Sequence, residues 1–205
     1  MRLLLVVAHP LPESYTFAIA NAARDVLIAH GHEIDWLDLY AEDFDPRLNE
    51  PERRSYFGDF DRSSVSDLTD RLVAAEGLLL VFPQWWFGFP AILKGWFDRV
   101  FAPGIAFDHG PNGGLLPRLT HIQLLYALTT TGSPWWVVKL VMGDPVRRLL
   151  RRGIATMCGK QVRFRMLSLH DLDRASPAKR NAHIERVRKL LFSLPDLALA
   201  GKRNP

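Results

Sequence analysis

Leu3 to Ala8 contains no polar side chain and includes the β-branched Val6 and Val7. A strand that alternates polar and apolar residues keeps one face in water. A run without alternation must be covered on both faces, which is the condition of strands inside a parallel sheet. This run therefore restricts the chain to folds with helices on both sides of a sheet. The residues that follow agree. After the turn His9-Pro10-Leu11-Pro12-Glu13-Ser14, apolar residues recur at helical spacing from Tyr15 to His30: Phe17, Ile19, Ala20, Ala23, Val26 and Leu27. Ser14 or Thr16 can cap this helix, and Gly31 stops it. Glu33 to Leu39 reads as a second strand. A strand, a helix and a second strand of this length form a crossover unit, which winds right-handedly into a parallel sheet.

The same alternation continues. Tyr40 to Ser64, with Pro46 and Pro51, has no clear period and reads as a surface excursion with short helical turns. Val65 to Glu76 is expected to be helical, Gly77 to Phe82 a third strand, and Ala91 to Phe101 a helix. Ala102 to Leu119 is rich in Gly and Pro and reads as loop. His121 to Leu128 is the expected fourth strand, Val146 to Met157 a helix, Gln161 to Leu169 the fifth strand, and Pro177 to Leu194 the last helix; Trp135 to Met142 is apolar without a clear assignment. Five strands alternating with helices define an α/β domain of three layers. We expect one domain over residues 1–195 and a loose tail over 196–205.

The 205 residues suit one core, and 48% hydrophobic with 23% charged residues is ordinary globular composition. The net charge of +4 leaves a mildly basic surface, concentrated at Arg147 to Arg152, at Arg163 to Arg165 and in the tail. Such a face can bind nucleic acid, lipid headgroups or a cofactor phosphate, or can simply be solvated. No aromatic stacking platform adjoins Arg147, Arg148, Arg151 and Arg152, so no nucleic-acid partner is expected. The single cysteine, Cys158, excludes an internal disulfide and reads as a buried core thiol. No metal site is expected. The N-terminal apolar run is too short for a signal peptide and stops at His9-Pro10, so the expected location is the cytoplasm.

In parallel sheets ligands bind beyond the carboxyl ends of the strands. The loops there begin at His9, Pro83, Thr129 and His170. The first is neither GxGxxG nor GxxxxGK[ST], so dinucleotide-fingerprint and P-loop readings are weak. It does carry hydroxyls, Ser14 and Thr16, at a helix start whose free amides and dipole suit a phosphate. His9 admits two readings: a donor to that phosphate, or a histidine that orients its own loop. The second loop, Pro83-Gln84-Trp85-Trp86-Phe87-Gly88-Phe89-Pro90, places three successive aromatics on a proline-bounded turn, and they cannot all face a core. The third, Thr129-Thr130-Thr131-Gly132, offers hydroxyls and amides. A phosphate site, an aromatic wall and an amide-rich loop together suit a flavin; the alternative is that Trp85, Trp86 and Phe87 serve packing alone.

These residues carry a family likeness. Ala8-His9-Pro10 with Ser14, Asp38-Leu39-Tyr40 with Phe44-Asp45-Pro46, the long stretch Pro83 to Phe101, Gly104-Ile105-Ala106-Phe107, Gly114-Leu115-Leu116 and Thr130-Thr131-Gly132 resemble the flavodoxin-like NAD(P)H:quinone oxidoreductases. That family includes mammalian quinone reductase and the bacterial modulator-of-drug-activity and potassium-efflux ancillary proteins. The likeness covers roughly the first two thirds of the chain. It implies a flavodoxin-like, doubly wound, five-stranded parallel sheet of order 2-1-3-4-5. It also implies a homodimer binding FAD, or alternatively FMN, that passes hydride in a ping-pong cycle from NADPH or NADH to a quinone-like acceptor.

By resemblance, His9, Ser14, Tyr15 and Thr16 hold the flavin phosphates. Pro83, Gln84, Trp85, Trp86 and Phe87 lie along the isoalloxazine, and Thr130, Thr131 and Gly132 lie at its other edge. Trp86, Phe87, Phe107 and Trp135 fall in the substrate pocket, Phe107 reaching it from the partner subunit. The helix from Ala91 contributes to the dimer. The ancillary proteins suggest a second reading, a flavin- or nucleotide-binding regulatory subunit of a membrane ion-efflux system. The sequence also departs from the family: Ser133 to Asp144 lacks the tyrosine and histidine of the mammalian charge relay, so no catalytic residue is assigned. Trp135 and Trp136 make the lid bulkier.

Overall fold

A computed structural model describes residues 1–194. The expected loose tail, 196–205, and Pro195 lie outside the described residues. The order of elements is β1 (Arg2–Val7), α1 (Tyr15–Ala29), β2 (Glu33–Asp38), α2 (Glu50–Ser55), α3 (Ser66–Ala74), β3 (Gly77–Pro83), α4 (Ala91–Val100), β4 (Phe107–His109), β5 (Leu115–Pro117), β6 (Leu124–Thr131), α5 (Pro145–Leu149), α6 (Ala155–Met157), β7 (Arg163–His170) and α7 (Pro177–Phe192). A π turn, Leu150–Ile154, joins α5 to α6, and another, Val137–Val141, precedes α5.

The main sheet has the order β2-β1-β3-β6-β7 with every pair parallel. This is the expected 2-1-3-4-5 order once the separate β4–β5 hairpin is set aside. The central strands are buried on both faces, as the unbroken apolar run requires. Leu3, Leu5 and Val7 of β1 pack with Leu79, Val81, Leu124 and Tyr126 beneath α1 and α7. Leu4, Val6 and Ala8 join Leu78, Leu80, Phe82 and Leu125 on the opposite face, with α3, α4 and α5. Each leucine, valine or phenylalanine among them contributes roughly 1.5–3 kcal/mol by leaving water. Cys158 belongs to this second cluster, and burial pushes its thiol up to about 12.

Three expectations change. Ala102 to Leu119 is not all loop: Phe107–His109 pairs antiparallel with Leu115–Pro117 across a glycine turn closed by Gly110 N–H to the Gly114 carbonyl at 2.8 Å. The fourth strand starts later than His121 and runs through Thr131: threonine is β-branched, and the Thr129 hydroxyl bonds Gln84, just after β3, and Ser168 of β7. Pro83 belongs to β3 rather than to the turn; it is the last residue of the strand, opposite Thr130, where no amide donor is required.

The excursion from Tyr40 to Ser64 is tied down from within. Arg99 of α4 donates to both Glu52 carboxylate oxygens, to the Asp45 carbonyl and to Ser64 Oγ, at 2.5–3.1 Å. Asn49 and Glu52 form a reciprocal capping box at the start of α2. Gly95 lets α4 approach this segment: a Cβ there meets the Pro46 carbonyl oxygen at 2.2 Å. Burial opposes ionisation of Glu52, but hydrogen bonds from Arg99, Ser64 and the Asn49 backbone outweigh it and leave the carboxyl below its ordinary value. The stability this pair adds is present above the ordinary carboxylate range and is lost as pH falls through the lowered value.

Glu52→Ala strands a buried guanidinium and is expected to lower unfolding stability by about 3–5 kcal/mol in urea at neutral pH, with a smaller deficit in acid. Gly95→Ala is expected to cost at least about 1–3 kcal/mol by overpacking against backbone that cannot retreat. Loss of less than about 1 kcal/mol in both variants would remove this anchor from the account.

Candidate functional site

The carboxyl ends of β1, β3 and β6 open into a cleft of about 670 Å³. Each of the three unusual loops supplies one wall. His9, Ser14, Tyr15 and Thr16 come from the β1–α1 connection; Pro83, Gln84, Trp85, Trp86 and Phe87 come from the β3–α4 connection; Thr130, Thr131 and Gly132 come from the end of β6. Sequence reasoning did not single out Ser133, Leu172 and Asp173, which complete the lining. The last two sit in the loop after β7, whose only local signal is its position between a strand and a helix cap.

The first wall is a helix start. Ser14 is the N-cap of α1, and its Oγ accepts from the Phe17 amide at 3.4 Å. The amides of Tyr15 and Thr16 precede any intrahelical acceptor and remain available. His9 Nδ1 accepts from the Leu11 amide at 3.1 Å, which puts its proton on Nε2. Burial lowers the His9 pKa against smaller opposing effects of Leu11 and Glu13, so this ring is a neutral donor at neutral pH. Both readings of His9 are therefore compatible in one tautomer: one nitrogen orders the loop and the other is free to donate. The Tyr15 hydroxyl is engaged elsewhere. It donates to the Arg180 carbonyl at 2.8 Å, and burial, opposed by Arg180, pushes it up to about 12.

The second wall is a tight turn with unusual residues. Gly88 N–H closes it onto the Trp85 carbonyl at 2.9 Å, and the two central residues, Trp86 and Phe87, have φ of 50° and 60°. Positive φ at both central positions marks the hairpin turn that normally takes Asn-Gly. Bulky aromatics there cost about 1–2 kcal/mol each. Trp86 is 97% exposed, so no packing offsets its strain. The Trp85 ring lies 5.9 Å from His9, which joins the first two walls.

Gln84 ties the second wall to the third. Its backbone N–H donates to the Thr130 carbonyl at 2.7 Å, and its side-chain Nε2 donates to Thr129 Oγ1 at 2.9 Å. Thr129 Oγ1 in turn pairs with Ser168 Oγ at 2.8 Å. Gln84 Oε1 is buried and has no partner. Thr129, Thr130 and Thr131 are buried within β6, so the loop begins at Gly132 rather than at Thr129. Gly132 lies against Asp173: a Cβ there meets Asp173 Oδ2 at 2.6 Å, so a larger residue displaces that carboxylate.

Two residues expected at the substrate pocket do not line this cleft. Phe107 is buried on β4 and lines a separate apolar cavity of about 530 Å³ with Tyr56, Phe97 and Phe101. Trp135 stands exposed just beyond Ser133. Among the described residues no cluster of His, Cys, Asp or Glu could hold a metal ion.

The flavodoxin-like fold model matches residues 1–191. This chain belongs to that flavodoxin-like family. It is 34% identical to human ribosyldihydronicotinamide dehydrogenase [quinone] over 184 residues, covering 78% of each chain. It is 35% identical to an uncharacterised NAD(P)H oxidoreductase of Haemophilus influenzae, covering 84% of this chain and 87% of that one. Among solved structures, Smu.1420 of Streptococcus mutans superposes with a TM-score of 0.82 at 29% identity, covering 94% of this chain and 99% of that one.

Two tests concern this flavodoxin-like site. Trp86→Gly is expected to raise the unfolding stability of flavin-free protein by up to about 1 kcal/mol in urea, because it relieves strain and removes no contact. A loss of stability would show that Trp86 packs. His183, on α7 behind Tyr15, is 1% exposed with both ring nitrogens unpartnered. Burial first, then Arg186 and His170, lowers its pKa to about 4. The unfolded chain binds that proton near pH 6.5, so stability is full above 6.5 and falls as pH drops toward 4, at up to about 1.4 kcal/mol per pH unit. His183→Leu should flatten that slope; an unchanged slope assigns the acid sensitivity elsewhere.

Proposed function

We propose that this protein is a flavin-dependent NAD(P)H:quinone oxidoreductase. The observation that carries the reading is the cleft at the sheet edge. It combines free helix-start amides, an aromatic turn held at positive φ, and a buried, unpartnered acceptor at Gln84 Oε1. A ligand N–H can satisfy that acceptor, and an isoalloxazine presents N–H beside carbonyl groups. The named relatives, a quinone dehydrogenase and an NAD(P)H oxidoreductase, favour the same chemistry.

In this reading His9 Nε2, the Ser14 hydroxyl and the amides of Tyr15 and Thr16 hold phosphate. Tyr15 acts through its backbone, since its phenol is already bonded. Pro83 to Phe87 run along the ring system, with Trp86 and Phe87 at the substrate side, and Thr130, Thr131 and Gly132 meet the opposite edge. A bound flavin supplies two-electron hydride chemistry between a nicotinamide donor and a quinone-like acceptor. The protein's part is to orient the ring, exclude water and hold charge. The flavin is read as FAD, with FMN the alternative; the mass of the flavin released on denaturation separates them.

The working form is read as a cytoplasmic homodimer. The apolar cavity along α4, with the 74% exposed Phe57 at its edge, supports burial against a second copy. In such a dimer Phe107 and Trp135 contribute to the partner's pocket or to the lid. The competing reading, a regulatory subunit of a membrane transporter, calls for a stable complex with that transporter in place of fast turnover.

The purified protein is expected to be yellow, to bleach anaerobically with NADPH or NADH, and to regain its colour on addition of a quinone. Gln84→Leu is expected to weaken flavin binding about tenfold, near 1.4 kcal/mol, by removing one charge-neutral acceptor. Colourless protein that takes up neither FAD nor FMN overturns the proposal.

A further inference from the structure

A second, polar cavity of about 470 Å³ adjoins the cofactor cleft and has no part in the reaction described above. It lies between β7, the π turn Val137–Val141 and α7, and β7 is an edge strand bonded only to β6. Lys139, Arg147 and Arg186 line it against a single carboxylate, Asp144. Among the described residues none of the three cations makes an ion pair. Arg147 is held in place by Phe164, with its guanidinium carbon 5.6 Å from the ring centroid. Stacking of that kind leaves the guanidinium edge free to donate. His170 and Ser168 complete the polar lining, and His170 Nδ1 is buried without a partner. Burial, Lys139 and Lys179 keep His170 neutral against Asp144, so its ring offers a hydrogen bond and no further charge.

A concave lining with this excess of positive charge raises the local concentration of anions. We infer that the cavity binds a terminal phosphate monoester, and that its carrier is the nicotinamide donor bearing a 2′-phosphate, which makes the protein selective for NADPH over NADH. The inference rests on the nicotinamide-dependent reading above. A monoester carries about −1.5 to −2 charges near neutral pH, which matches three cations and one carboxylate. Arginine grips such a group with paired N–H donors and lysine adds a point charge. NADH has no terminal phosphate. Its pyrophosphate is flanked by a ribose on each side and cannot end in a side cavity.

Position agrees with chemistry. Thr131, in the cofactor cleft, is the register partner of His170, in this cavity. The Asp171 amide donates to the Ser133 carbonyl at 3.0 Å. The two cavities thus share the wall formed by the ends of β6 and β7.

The test compares purified wild-type protein with Lys139→Ala and Arg186→Ala, two exposed positions outside the cofactor cleft. Calorimetry with adenosine 2′,5′-bisphosphate and with adenosine 5′-monophosphate should show at least tenfold tighter binding of the bisphosphate. Each substitution should erase most of that difference and leave the monophosphate unaffected. Steady-state turnover should show a matching rise in KM for NADPH, with KM for NADH and kcat unchanged. Equal affinity of wild type for the two nucleotides overturns the inference, as does a loss in the variants that is the same with both donors. Inorganic phosphate that binds as tightly as the bisphosphate overturns the donor assignment and marks a free-anion site. Nucleotide discrimination without turnover on either donor supports the phosphate site and counts against the oxidoreductase reading instead, so the two failures are distinguishable.

Discussion

Burial of β1, β3 and β6 on both faces is the constraint on which the rest of the molecule depends. Strands covered on both sides cannot carry polar side chains along their length, because each unpaired polar group in the core costs several times what an apolar one gains. The first polar groups must therefore appear where the strands end. His9 follows Ala8, Gln84 follows Pro83, and the threonines close β6. Right-handed crossovers bring the start of α1 to the same edge, and with it the free amides after Ser14. The location of the cleft is in this sense a consequence of the core.

The polar groups at that edge form one structure. Gln84, Thr129 and Ser168 link the ends of β3, β6 and β7 by side-chain hydrogen bonds at the mouth of the cleft. The link leaves one debt, the unpartnered Gln84 Oε1, and the adjacent turn adds another, two aromatics at positive φ. Both local rules are broken within four residues of each other. Concentrated violations of this kind mark sites where stability has been exchanged for function. The compensation lies elsewhere, in the two core clusters and in the Arg99–Glu52 pair that fastens α4 to the Tyr40 to Ser64 segment.

What the sequence made legible follows the range of the interactions involved. Apolar runs, helical spacing and the Ser14 cap are local, and they located the parallel sheet and the three loops; the strand order came from the family resemblance. Thr129 to Thr131 misled because a threonine run suits a loop or a strand equally; Gln84 and Ser168, its partners, are distant in sequence and decide for the strand. Arg99 and Glu52 are 47 residues apart, and neither carries any local sign of burial. The β4–β5 hairpin was hidden because glycine and proline dominate its turn, and its short strands are paired only with each other. Phe107, expected by resemblance to reach the partner's substrate pocket, is buried against Tyr56 and His109, and that placement depends on the hairpin.

The connection between β6 and α5 brings these strands of argument together. Its first residues, Gly132 and Ser133, line the cleft at the sheet edge, and its later ones, Lys139 and Asp144, line the cationic cavity. Its near end is fixed: Gly132 lies against the Asp173 carboxylate, and the Ser133 carbonyl accepts from Asp171. Its far end is fixed by positive φ at Gly143 and Asp144 and by the Asp144 amide bonded to the Val138 carbonyl at 2.8 Å. Between these ends Trp135 and Trp136 are exposed just before the π turn Val137–Val141, which carries the exposed Leu140 and Val141. This is the stretch that lacks the tyrosine and histidine of the mammalian relay. One connection thus lines both cavities, and its turn geometry sets the position of Gly132 and Ser133 in one and of Lys139 and Asp144 in the other.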